Sequence, residues 1–435
     1  MGSETEYTMS ISEPLDRRID PDLVSYYAEP NNLWMANGGR LYVDGRVVEY
    51  AAPVCNSGNE LLLHERIGEK IVSGLTDTVE EEFDPEFADL ISEPRLYPAY
   101  KRTGYTEIRF DEDDKSSFHR GDLSTGHHET YQTELSREKL GSGPSSRLIN
   151  AYLATRIIWT GTGLVSENGY ELSQKAKAID FHGTSSTLHG MKRPTKHKGA
   201  GLVEVRTGEG NMSDWAIRVK ADMTSLVLRL AEHDVVPWHA LIKEDFENAA
   251  FRSTSRNPLG PIPNDHKRFD AIDIQLMIAE EALSFGEKYG APQHELDAAR
   301  EVIAACQDVQ SYLAGNGDLA IISDRIDWAA KLDKLRSRGI LLGEVSCANM
   351  VAVAHDLSWE DVSSQGPARR WYRKYQPGSL TNDFVNRRLK HIPEGRAQTL
   401  TDIINHYGMD VRAVDWDTVS IPDDRYVSVD APYFD

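Results

Sequence analysis

Glu4 and Glu6 stand two residues apart near the start of the chain, and Arg40, Tyr42 and Asp44 repeat that spacing, followed by Glu49. In an extended strand, residues two apart share a face. Were these faces to adjoin, carboxylates, a phenol and a guanidinium would converge. That set suits a divalent ion shared with a nucleoside triphosphate, because magnesium takes near-octahedral oxygen ligands from carboxylates and phosphates together. Glu4, Glu6, Glu49, Glu204 and Glu129 are the carboxylate candidates. Arg40 or Arg206 could grip phosphate oxygens with a planar, bidentate fork. The competing reading places Glu4 and Glu6 on the wet side of an edge strand, where carboxylates carry no meaning. No Walker-type loop and no G-x-G-x-x-G after a strand is present, so the common nucleotide folds are not indicated.

Several elements must position these groups. Residues 1 to about 55 read as strand, connecting segment, strand. The acidic runs Glu80 to Glu82 and Asp111 to Asp114 read as solvated loops. Gly126-His127-His128-Glu129-Thr130-Tyr131 opens a strand, and a buried helix is expected near Arg147 to Thr160. Residues 181–200 are rich in His, Gly, Lys, Ser and Thr and read as a loop, with Lys192, Arg193, Lys196 and Lys198 making it locally basic. A phosphate neighbour and a plain exposed loop explain that equally well.

Leu202 to Arg206 then reads as a strand with Glu204 and Arg206 on one face. A helix capped by Ser213 follows, its stripe at Ala216, Val219, Met223, Leu226, Val227 and Leu230 matching a 3.6-residue period. Two more amphipathic helices are expected at about 268–289 and 293–314, with further scaffold at Arg325 to Leu335. The polar, proline-interrupted tail sets a small C-terminal domain at 346–435, after a catalytic domain at 1–345.

Composition narrows the partners. The 435 residues include 69 acidic and 48 basic ones, a formal charge of -21, which repels nucleic-acid phosphate and anionic membrane surface. Cys55, Cys306 and Cys347 lack the paired spacing of a zinc site or redox disulfide, which fits a reducing cytoplasm. No apolar stretch is long enough to suggest a membrane span or export signal.

Glu4-Thr5-Glu6-Tyr7, Asn37-Gly38-Gly39-Arg40-Leu41-Tyr42-Val43-Asp44 with Glu49-Tyr50, Gly126 to Tyr131, and Gly210-Asn211-Met212-Ser213 resemble, in order and approximate spacing, the motifs of the Pup ligase and depupylase family. Ile326-Asp327-Trp328, Ala354-His355-Asp356 and Val414-Asp415-Trp416 extend the resemblance along the chain. It implies an α+β, glutamine synthetase-like fold: an antiparallel sheet cradling ATP, backed by helices, with a small C-terminal domain. It further implies that Glu4, Tyr42 and Glu49 hold magnesium, that Arg40 meets nucleotide phosphate, that Trp416 packs against the nucleotide and that Asp44 is the catalytic carboxylate. His128 and Glu129 match a His-Glu pair of the family, but neighbours on a regular strand face opposite ways, so only one is strongly expected as a ligand.

The implied reaction is ATP-driven activation of a side-chain carboxylate, supplied by a small protein such as Pup, a peptide or an amino acid. An amine then attacks the acyl phosphate to give an amide or isopeptide bond. Hydrolysis of such a bond, as in depupylases, is the alternative. The short interval from Tyr7 to Arg40 lacks the depupylase insertion and favours ligation, whereas Ala51-Ala52-Pro53 after Glu49 is more depupylase-like. A ligase for a small amino acid or peptide, unrelated to Pup, is a third reading. It draws on the departures from the family pattern: Val54, His119-Arg120-Gly121-Asp122, and Glu204 at a position where the family leads one to expect histidine.

Overall fold

The computed structural model describes residues 1–7, 11–12, 32–44, 47–81, 95–96, 99–101, 104–105, 108–110, 118–120, 124–176, 178–179, 181, 194–198, 201–235, 247–258, 269–376, 379–407, 413–414, 418–421 and 425–428. Its organising element is a seven-stranded sheet built from β1 (Gly2–Tyr7), β2 (Asn32–Trp34), β3 (Arg40–Asp44), β4 (Val47–Ala51), β5 (His127–Gln132), β6 (Thr195–His197) and β7 (Leu202–Val205). The spatial order is β6-β7-β5-β1-β4-β3-β2, and every pairing is antiparallel. Residues 181–200, read as a loop, therefore contribute an edge strand.

Helices back one face of this sheet: α1 (Gly58–Glu81), α2 (Gly143–Thr155), α3 (Asp214–Glu232), α4 (Ala271–Tyr289), α5 (Gln293–Leu313) and α6 (Asp327–Ser337). The expected stripe of α3 is buried throughout, and the Ser213 hydroxyl caps it by accepting from the Ala216 amide at 3.2 Å. α4 stops at Gly290, whose φ of 75° is the left-handed conformation that suits glycine at a helix end.

α1 was not expected, and it carries Glu80 and Glu81, which the charge pattern assigned to a loop. The reason is physical. Glu65, Arg66 and Glu69 point inward with Leu61, Leu62 and Ile67, so no apolar stripe marks the helix. These charges are buried because they are paired. Lys101 meets Glu65, and reaches Glu69 at 3.3 Å; Arg66 lies 2.8 Å from Glu69 and donates from Nε to Asp214 at 2.7 Å.

Beyond residue 345 the described residues fall into two groups. α7 (Met350–Ser358) and α8 (Pro367–Tyr375) share the main body's core: Trp359 and Tyr372 pack with Tyr7, Tyr50 and Leu41, and Lys331 on α6 bonds Asp356 at 2.9 Å and Glu360 at 2.7 Å. These elements follow the boundary expected at 346 and share an apolar cluster with residues before it. A separate apolar cluster joins α9 (Arg396–Tyr407) to the sheet of β8 (Ala413–Val414), β9 (Thr418–Ile421) and β10 (Arg425–Ser428), through Ile403, Val419, Ile421 and Val427.

Candidate nucleotide and metal site

Strand register decides which side chains meet. Glu4 lies opposite His128 on one side and Ala51 on the other, Glu6 lies opposite Glu49, and Tyr42 lies opposite Glu49. Thr130, two residues beyond His128, pairs with Glu204, which pairs in turn with Lys196. Directly opposed residues in an antiparallel ladder share a face. Glu4, Glu6, Arg40, Tyr42, Glu49, His128, Glu204 and Arg206 therefore occupy the sheet face away from α1. Asp44 holds the next position of the Arg40–Tyr42 alternation, opposite Val47.

Glu129 is the exception, because it is one residue out of phase with His128. It is buried on the helix side, where Arg156 donates to it at 2.7 and 3.1 Å and the Tyr131 hydroxyl donates at 2.8 Å. Burial alone would raise its pKa, yet the Arg156 and Lys220 cations hold it below the usual carboxylate range. The metal role expected for Glu129 gives way to a core ion pair.

Local structure explains the motif residues around the cleft. Gly38 has a φ of 79°, which turns the chain between β2 and β3, and Asn37 braces that turn by accepting from the Gly39 amide at 3.0 Å while donating to the Tyr50 hydroxyl at 2.9 Å. The Arg40 guanidinium then lies 4.1 Å from the centre of the Tyr42 ring and 5.8 Å from that of Trp34. At Gly126 a Cβ would stand 2.8 Å from His128 Nε2 and 3.0 Å from Glu6 Oε1, and the Gly126 amide donates to Glu6 at 2.7 Å. Glycine is needed there for close approach.

Two overlapping groups of potential ligand atoms result: Glu4, His128 and Glu204, and Glu6, Glu49 and His128, with the atoms of each group within 4.8 Å of one another. His128 Nε2 is buried without a hydrogen-bond partner, while its Nδ1 is 3.7 Å from Glu4. A donor set dominated by carboxylate oxygen fits a hard divalent cation, and the unsatisfied imidazole nitrogen is consistent with a ligand at this place. Tyr42 hydrogen-bonds Glu49, and burial beside Glu4 and Glu49 pushes its phenol well above the ordinary range, so it would serve as a neutral oxygen donor.

The β7 side carries the cations. Arg206 donates from Nε to Glu204 at 2.6 Å, and Lys198 pairs with Glu204 and lies 3.7 Å from Glu4. Burial opposes ionisation of Glu204, but His128, Lys198 and Arg206 outweigh it and bring the pKa down to about 2. Glu4 is likewise held below its usual range against burial, by His128 and Lys198. Arg206 is thus occupied by a carboxylate, where the sequence offered it to phosphate. Lys198 was singled out only as part of a basic loop; its two-residue spacing from Lys196 is the signal that places it on this face once β6 is known. Trp416 lies outside the described residues, between β8 and β9. Lys192 and Arg193 also lie outside them.

Comparison with known proteins agrees with this architecture. A family model described as Pup-ligase protein matches residues 3–420. The chain is 27% identical over 412 residues to the Pup–protein ligase of Corynebacterium diphtheriae, spanning 88% of this chain and 79% of that protein. It is 26% identical over 387 residues to the Pup–protein ligase of Kineococcus radiotolerans, spanning 83% and 78%. Among solved structures, the complex between prokaryotic ubiquitin-like protein Pup and its ligase PafA superposes with a TM-score of 0.76 at 21% identity, covering 100% of this chain and 89% of that one. Pup ligase PafA in complex with ADP gives a TM-score of 0.71 at 21% identity, covering 98% and 92%. The α+β architecture with its antiparallel sheet and helical backing is therefore the fold of these ligases.

Proposed function

The chain belongs to the Pup-ligase family, and from that premise we propose that it is an ATP-dependent ligase joining a side-chain carboxylate of a Pup-like small protein to an amine of an acceptor. The observation that carries this reading is the shared face: the acids, the phenol and the arginine of three neighbouring strands meet on one face of one sheet. Hydrolysis and a ligase unrelated to Pup, the other two readings, gain nothing from relatives that are Pup–protein ligases.

Glu4, Glu6, Tyr42, Glu49, His128 and Glu204 would hold magnesium, whose chemistry is to neutralise phosphate charge as the γ-phosphoryl group moves. Arg40 and the tryptophan at 416 would hold the nucleotide. Phosphoryl transfer gives the donor carboxylate a good leaving group, and Asp44 orients or deprotonates the attacking amine. Loss of phosphate then leaves the amide. Among the described residues no helix is long and apolar enough to cross a membrane. A cytoplasmic setting accords with the thiol form of Cys55, Cys306 and Cys347.

Conjugate formation and ADP release are to be followed with a Pup-like donor and an amine-bearing protein, for wild type and Asp44→Asn. The expected result is coupled product and ADP in wild type, and a loss of about a hundredfold or more in the variant with ATP binding retained. ATP binding without ADP release in every donor and acceptor mixture would overturn the proposal.

A further inference from the structure

We infer that Lys198 is the resident counter-cation of the Glu4–Glu204 half of the site, and that it exchanges these carboxylates for nucleotide phosphate when a divalent ion binds there. This rests on reading the cluster as an ion and nucleotide site. It goes further by assigning one side chain two alternative partners.

The geometry sets the competition. Glu4, His128 and Glu204 offer three ligand atoms within 4.8 Å of one another, and the Lys198 ammonium pairs with Glu204 while standing 3.7 Å from Glu4. A single ammonium thus spans both acids of the group. An arriving ion and the ammonium would be like charges sharing a small, partly buried space, so each weakens the other's hold. Arg206 does not stand in for Lys198, because its Nε is directed at the other oxygen of Glu204.

Lys198 is built to leave. It closes β6 at the sheet edge, where its amide donates to Leu202 at 3.0 Å, so its backbone is fixed while a long side chain remains 31% exposed. Lysine suits such a role better than arginine, since its ammonium is a compact charge on a flexible stem and makes no rigid fork with a single carboxylate. Phosphate is the partner that an ammonium displaced from this face would find, because bound nucleotide brings anionic oxygens to the same metal ligands.

The test measures Mn2+ binding to the full chain by electron paramagnetic resonance and ATP binding by calorimetry, for wild type, Lys198→Met and Lys198→Arg. Removing the like charge is expected to tighten nucleotide-free Mn2+ binding in Lys198→Met by about tenfold and to weaken Mn2+-ATP binding by a similar factor. Lys198→Arg should retain the weak ion binding of wild type. Adding Glu204→Gln to Lys198→Met should erase the gain. Thermal unfolding of each variant establishes that the proteins compared are folded. Equal nucleotide-free Mn2+ affinity in folded wild type and Lys198→Met overturns the role of Lys198 and leaves the site reading intact. Absence of Mn2+ binding in every variant, with and without ATP, overturns both.

Discussion

The two faces of one sheet use charge in opposite ways. On the helix face, acids and bases are buried as matched partners: Glu65 with Lys101, Asp214 with Arg66, Glu129 with Arg156. On the cleft face, Glu4, Glu6, Glu49 and Glu204 crowd together around His128, and Lys198 spans two of them. Burying a charge is costly unless it is paired and hydrogen-bonded, so the helix face has its compensation inside the protein. Like charges held close raise each other's energy, and although Lys198 and Arg206 offset this for Glu4 and Glu204, the clustered acids still favour a supplied cation. The first arrangement makes a rigid platform and the second makes a binding site. The strand alternation that separates Glu4 from Ser3 and Thr5 keeps the two apart.

Breaking the paired face should do the most damage to folding. Lys101→Met leaves Glu65 and Glu69 buried without that cation and is expected to cost about 3–5 kcal/mol of stability, read as a fall in the urea midpoint at unchanged slope. Arg156→Met should cost a similar amount through Glu129. Were either variant as stable as wild type, the helix face would not depend on matched charge.

Neutralising a cleft acid should reverse the pattern. Glu49→Gln removes one of several neighbouring carboxylates, so stability should stay within about 1 kcal/mol of wild type or rise, whereas Glu4→Gln should lower it slightly because His128 and Lys198 favour that charge; in both, ligation falls on the order of a hundredfold. Measuring the urea midpoint and ADP release on the same preparations separates the two effects. A cleft variant that unfolds as readily as Lys101→Met would erase the distinction between the faces.

How much of this was legible in the sequence follows the same division. The cleft residues obey period two on short strands, so Glu4, Glu6, Arg40, Tyr42, Asp44 and Glu204 could be assigned to faces from spacing alone. Spacing says nothing of which strands are neighbours, and the family resemblance supplied that by grouping motifs far apart in the chain. α3 to α5 were legible because their buried stripes are apolar. α1 was not, because its inward face is Glu65, Arg66 and Glu69, and their partners Lys101 and Asp214 come from distant segments. Lys198 escaped for a related reason, since a three-residue edge strand in a Gly- and Lys-rich stretch carries no periodic signal. Composition registered the prolines of the tail but could not register Trp359 and Tyr372 packing against Tyr7 and Tyr50.

A gentler change reaches the cleft through space alone. Gly126→Ala puts a methyl 2.8 Å from His128 Nε2 and 3.0 Å from Glu6 Oε1, so both side chains must give way. Nucleotide affinity should weaken by about tenfold and stability by about 1 kcal/mol, since the overpacking is confined to two side chains. Calorimetric ATP titration with and without divalent ion checks it. Loss of affinity in both conditions alike would mean that the methyl disturbs the nucleotide directly and not the ion's ligands.

The smallest effect is in the pH dependence, where Glu204 on the cleft face and Lys220 on the helix face titrate at opposite ends. Glu204 has a native pKa brought down to about 2, below its value in an unfolded chain, so its contribution to stability is present above roughly pH 4.5 and is lost as pH falls toward 2. Lys220, buried on the helix side where it donates to the Glu209 carbonyl and to Asn211 Oδ1, each at 2.9 Å, is brought down to about 8, chiefly by burial. Between about pH 8 and 10.5 the unfolded chain therefore binds more protons at this lysine than the native protein does, and its contribution makes stability rise with pH. Lys198→Met removes one of the cations that depress Glu204, so it should move the acid limb of the stability profile toward higher pH and leave the alkaline limb where it was. Lys220→Met should remove the rise between about pH 8 and 10.5 and, because Lys220 also holds Glu129 on the same face below its usual range, move the acid limb toward higher pH as well. Urea midpoints taken across the pH range for the two variants supply the measurement, and a shift of the region from about pH 8 to 10.5 in Lys198→Met would show that the faces are electrostatically one unit.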